Sequence, residues 1–169
     1  MLFKGGHIYQ HNIFHVNYTT YDLNHGQDSF NPNNDHCDIM MLAGGEEELE
    51  AVSNCFCYAH VIGIYHTNVQ YIGLGLKDYN TCQLDFLHVG WFELVPPDAQ
   101  GDKVLLDMLR FVPMNTEDLD IFDFVDSTEV LKGCHLIPAF AKGQLHPDGT
   151  LLSPLSKDSG DWRYYYINK

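Results

Sequence analysis

Two apolar runs constrain this chain more than anything else in it: Phe56 to Val69 and Gln83 to Leu94. Their aromatic and β-branched side chains pack well on a pleated surface, so both read as strong strands. Between them, Tyr71 to Thr81 carries Gly73, Gly75, Asp78 and Asn80 and reads as an irregular hairpin connection. Pro96-Pro97 ends the second run, because proline cannot donate to a strand ladder.

Shorter segments extend the pattern. Residues 13–23 are β-rich and partly alternating, and 36–43 form a short apolar run before Gly44-Gly45. The Asn/Asp/Gly/Pro-dense stretch Asn24 to Asp35 reads as a loop. Glu46, Glu47, Glu48 and Glu50 suit the first turn of a short helix, where the macrodipole favours acids. Leu105 to Val112, Ile121 to Val125, Cys134 to Phe140 and Trp162 to Ile167 read as further strands. Asp126-Ser127-Thr128-Glu129 reads as a capped single helical turn that Gly133 stops. Many short strands with one or two helical turns indicate an all-β domain, a compact barrel or sandwich with long loops.

At 169 residues the chain holds one well-buried domain, residues 1–169, with 1–12 expected as a flexible segment. Its end just after a strand suggests a piece of a longer protein. Val61, Ile64, Phe86, Val89, Trp91, Leu136 and Ile137 are the expected core.

The 23 acids outnumber the 9 Lys and Arg, for a net charge of −14. Such a surface repels phosphate backbones, which argues against direct nucleic-acid binding, and attracts a basic protein or peptide. From Glu93 to Glu129 ten acids stand against Lys103 and Arg110 alone. No apolar run approaches the roughly 20 residues of a membrane span. Five cysteines without a regular framework suit a reducing, intracellular compartment, so the fold is expected to stand without zinc or disulfides.

Ten histidines prompt a search for a metal site. His60 and His66 are an even number apart and share a face if the strand is regular, with His88 in the neighbouring strand. Cys55 and Cys57 have no second pair at finger-like spacing. Asp118, Asp120 and Asp123 lack the glycine and terminal Glu of a calcium loop. Cys134 and His135, adjacent on a strand, point to opposite faces. No phosphate loop or nucleophile elbow is present, so neither a cofactor nor an enzymatic activity is expected. The stronger expectation is a cage for a cationic group. Tyr58, Tyr65, Trp91, Phe92, Phe122 and Phe124 supply the aromatic faces, and Glu93 and Asp120 the charge.

Several blocks carry a resemblance. Gln27-Asp28-Ser29-Phe30-Asn31-Pro32 running on to His36-Cys37-Asp38-Ile39-Met40-Met41 resembles proteins encoded by DNA transposons of mushroom-forming fungi. These are of the Plavaka and Kyakuja-Dileera-Zisupton kind. Asp85 to Phe92, Val130 to Phe140 and Asp161 to Asn168 match later blocks of the same proteins. Tyr58 to Tyr65, the Trp91-Phe92 pair and Gly133-Cys134 are also similar in order to bromo-adjacent homology domains. That second likeness implies a distorted β-barrel in the nucleus that binds a histone tail, with Trp91-Phe92 as the family's aromatic pair. A homo-oligomeric or intramolecular docking domain of a transposase is the alternative expectation. A β-barrel enzyme or metal-binding protein built on the histidines is another.

Overall fold

The computed structural model describes residues 2–19, 25–34, 37–43, 56–71, 80–96, 107–112, 121–147, 160 and 162–168. Eleven strands account for most of them: β1 Leu2–His11, β2 Phe14–Thr19, β3 His25–Phe30, β4 Asp38–Leu42, β5 Phe56–Gln70 and β6 Cys82–Leu94. They continue with β7 Met108–Phe111, β8 Phe122–Asp126, β9 Val130–Gly133, β10 His135–Pro138 and β11 Tyr165–Asn168. The only helical pieces among the described residues are short 3-10 turns at Ser127–Glu129 and Phe140–Lys142. No helix among them is long and apolar enough to cross a membrane.

β5 and β6 are the spine. They pair antiparallel from Tyr58↔Phe92 to Val69↔Cys82, with one irregularity between Val61 and Gly63. At 15 residues β5 outruns β4, which covers only Phe56 to His60. β1 fills the rest of that edge, pairing Leu2 to His11 with Gln70 to Ile64. The segment expected to be flexible is therefore a strand. Its register shift between Phe3 and Ile8 coincides with Gly5 and Gly6 at positive φ, a conformation glycine adopts without a Cβ clash. On the far edge of β6, β7 takes Phe92 to Leu94 and β8 takes Phe86 to Gly90.

The stretch expected as a loop from Asn24 to Asp35 contains β3, which forms a two-stranded ladder with β2. Its composition misleads because polar cross-strand pairs hold it. Gln27 donates to Asn17 at 2.9 Å, and the His15 ring meets the Ser29 hydroxyl at 2.8 Å. Phe30 and Val16 anchor this hairpin in the core.

The main sheet runs β10-β11-β7-β6-β5-β4-β9 and is not closed into the expected barrel. Its two margins are nevertheless consecutive in sequence, with Cys134 alone between β9 and β10. Two Cα steps of about 3.8 Å bring Gly133 and His135 within about 7.6 Å of each other. The sheet must therefore bend until its margins nearly meet.

Each face carries its own apolar cluster. On one, Ile39, Met41, Ala59, Val61, Ile64, Leu87, Val89 and Val125 pack with the β2–β3 hairpin, and Trp91 lies half-buried against them. On the concave other face, Met40, Tyr58, Phe92, Leu109, Tyr165 and Ile167 pack together. Of the expected core, Val61, Ile64 and Val89 are buried and Phe86 and Leu136 are half-buried. Ile137 is 38% exposed, because it belongs to a margin strand whose alternation turns it outward. Residues 134–140 are likewise no single buried strand, since β10 stops at Pro138 and Phe140 is exposed. Gly133 ends β9 and not a helix; the capped turn before it spans only Ser127 to Glu129. The Glu46 to Glu50 segment and most of the Tyr71–Thr81 connection lie outside the described residues.

Candidate functional site

The eight cage candidates separate into groups. Tyr58 and Phe92 are buried in the concave-face cluster and Trp91 faces the other side, so these three form no common surface. Glu93 pairs with the Arg110 guanidinium on β7. Asp120 lies outside the described residues. Tyr65, Phe122 and Phe124 do come together, because the register places them on one face of three neighbouring strands. Tyr65 pairs with Phe86, His88 with Phe124, and Gly90 with Phe122.

Phe86 and His88 complete a five-ring strip, one surface that only the strand register brings together. Tyr65 stacks on Phe86 at 5.7 Å, and Phe86 meets Phe124 edge-on at 5.7 Å. The His88 ring stacks on Phe124 at 5.0 Å and reaches Phe122 at 6.0 Å. Phe124 is 63% exposed, so the strip opens to solvent. Gly63 makes room for it, since a Cβ there would come within 2.6 Å of the Tyr65 ring.

The strip's electrostatics favour a cation. Burial lowers the pKa of His88, so the ring is neutral near pH 7 and does not repel positive charge. Asp126, opposite Phe86, accepts from the Thr128 hydroxyl at 2.6 Å and from its backbone N–H at 2.8 Å. Those two bonds hold its carboxyl below the usual range and keep the charge in place.

A second site lies on the concave face: a cavity of about 700 Å3 lined by Cys37, Asp38, His60, Phe111, Trp162 and Tyr165 among others. The register pairs Asp38 with His60 across β4 and β5, and the His60 Nδ1 lies 2.7 Å from the Asp38 carboxylate. The Cys37 Sγ is 3.6 Å from Nδ1 and 3.7 Å from Nε2 of the same ring. Near-equal distances to both nitrogens put the sulfur over the ring face and not in line with either lone pair. Phe111 and Tyr165 stand nearly perpendicular at 85°, forming two aromatic walls of the cavity.

The three histidines considered for a metal do not converge. His66 packs against His11 and Tyr9 on the exposed β1–β5 surface, His88 sits in the aromatic strip, and His60 faces the cavity. Cys37 and Asp38 appeared in the sequence only as the start of a strand. The signal that could have found them is the antiparallel pairing of Asp38 with His60, which no local spacing reveals. Cys134 packs in the concave cluster, where burial, with the neighbouring Asp38, pushes its thiol pKa far up, and His135 is exposed. That pair offers no activated nucleophile.

No protein-family model, curated protein or solved structure matches the chain.

Proposed function

We propose that this is a non-enzymatic interaction domain that binds a basic protein segment, of the histone-tail kind, along the strip Tyr65–Phe86–Phe124–His88–Phe122. The carrying observation is the exposed Phe124 ring stacked on a neutral His88, beside Phe86 and its cross-strand partner, the charged Asp126. Aromatic faces attract ammonium and guanidinium groups by their quadrupole, worth about 0.5–1 kcal/mol at exposed sites. The net charge of −14 adds a long-range field that draws a cationic peptide and repels duplex DNA. The transposon-like blocks support reading it as part of a transposon-encoded or transposon-derived protein. The order of its aromatic segments supports a bromo-adjacent-homology-like role in the nucleus.

The test is titration of labelled histone-tail peptides, with unmodified and trimethylated lysine, and of a short duplex at two salt concentrations. Peptide affinity is expected to fall with salt and to exceed duplex affinity. Phe124→Ala should weaken peptide binding several-fold, and Asp126→Asn should flatten its salt dependence. Tight duplex binding beside silent peptides would overturn the reading, as would a Phe124→Ala protein that binds like the parent.

A further inference from the structure

We infer that Cys37, Asp38 and His60 form a binding site for a single zinc ion, with one coordination position open to the cavity. The thiol, the carboxylate and the imidazole offer ligand atoms that all lie within 4.8 Å of one another. They come from the start of β4 and from β5, whose other edge is held by eleven ladder pairs to β6, so the donors stand at the most extensively paired part of the sheet. Sulfur, nitrogen and oxygen donors together select a borderline-soft ion over magnesium or calcium, which take oxygen alone.

The separation of sulfur and nitrogen suits zinc. A tetrahedral zinc with Zn–S of about 2.3 Å and Zn–N of about 2.0–2.1 Å holds its sulfur and nitrogen about 3.6 Å apart. The Cys37 sulfur already stands 3.6 and 3.7 Å from the two ring nitrogens. The 2.7 Å contact of Asp38 with His60 is a hydrogen bond, and it must open by roughly 0.6–0.8 Å as the ion comes between the two groups. The ring turns about its Cβ–Cγ bond to aim one nitrogen at the ion.

Three protein donors leave tetrahedral zinc one position short, and all three line the same cavity of about 700 Å3. That fourth position is open to water or to a small donor ligand. The site is independent of the aromatic strip on β6 and β8, and either can fail without the other.

Cobalt(II) titration of the reduced, chelator-treated full chain tests the proposal, because cobalt reports thiolate ligation by a near-ultraviolet charge-transfer band. One equivalent should bind and give that band, and zinc should then displace it. Cys37→Ser should abolish the band, and His60→Ala should lower zinc affinity at least tenfold. His66→Ala should change neither, which separates binding at the exposed His11–His66 pair. Cys37 is buried, so Asp38→Asn, close in shape, provides a second arm: a folded protein by circular dichroism with affinity reduced about tenfold. No band from the folded parent, a band retained in Cys37→Ser or lost in Cys82→Ser, or an unchanged affinity in Asp38→Asn would each overturn the assignment.

Discussion

His60 and His66 lie on one continuous strand an even number of residues apart, yet they face opposite sides of the sheet. Ladder partners run from Val61↔Val89 directly to Gly63↔His88, so Ile62 is an extra residue in β5. Such a bulge reverses the inward–outward alternation beyond it. His60 is thereby delivered to Asp38 and the cavity, and His66 to the β1 surface. Deleting Ile62 would restore the alternation and turn every side chain on one side of it; the expected outcome is loss of the cooperative melt, read by circular dichroism.

Burial divides the apolar strand residues sharply. Leu87 has no exposed surface, so Leu87→Ala should cost about 2–5 kcal/mol. Ile137, outward on its margin strand, should lose only about half a kcal/mol on truncation. Urea denaturation of the two variants side by side checks the difference, and similar midpoints would mean that the margin is packed more tightly than its exposure indicates.

Asp28 clamps the β2–β3 hairpin to β9, accepting from the Gly133 N–H at 2.7 Å. Asp28→Ala should cost about 1.5–3 kcal/mol, the range for hydrogen bonds to charged groups. Gly133→Ala acts on the same contact, because its Cβ would stand 3.1 Å from that carboxylate oxygen and 3.2 Å from the Phe30 ring. The double variant should therefore lose less than the sum of the two, a coupling that a thermodynamic cycle measures.

Stability should fall with acid in two stages. The folded pKa of His88 lies below its ordinary 6.5, so the unfolded chain takes up that proton first. Its contribution is complete above pH 6.5 and is lost as pH drops from there through the lower folded value. Asp126 follows the same sign: its contribution is complete above 3.8 and is lost as pH falls through its depressed folded pKa. His88→Phe should remove the upper stage and leave the lower one, which melting temperatures at a series of pH values would show.

Among the described cysteines, Cys82 is exposed and should alkylate first under native conditions. Cys134 should be much slower than Cys82, because burial and nearby Asp38 keep its thiol protonated. Mass mapping after a short iodoacetamide pulse gives the order directly. Modification of Cys134 ahead of Cys82 would mean that the β9–β10 junction opens readily.

The spine of this fold was legible because Phe56 to Val69 and Gln83 to Leu94 carry their strand character in every few residues. β3 was not, because its stability resides in Asn17–Gln27 and His15–Ser29 pairs that exist only once β2 lies beside it. β1 was hidden for a related reason: what orders Leu2 to His11 is the length of β5 beyond β4. The aromatic strip was half legible. Phe122 and Phe124 showed strand alternation on their own, but the joining of His88 and Phe86 to them depends on register. The Cys37–Asp38–His60 cluster needs both that register and the bulge at Ile62, and neither has a local signature.

Cys134 alone connects the two margins of the sheet, and this sets an order of events during folding. β4 cannot receive its outer neighbour until the chain has run on from Ile39 to Gly133, and the residues just beyond then form β10, the partner of β11. Contacts of such separation must overcome a large loop-closure entropy before they contribute, so completion of the sheet is the slow step. Until Val130 to Pro138 is in place, the rings of the concave face remain accessible, and a chaperone or an aggregating neighbour has that interval in which to reach them.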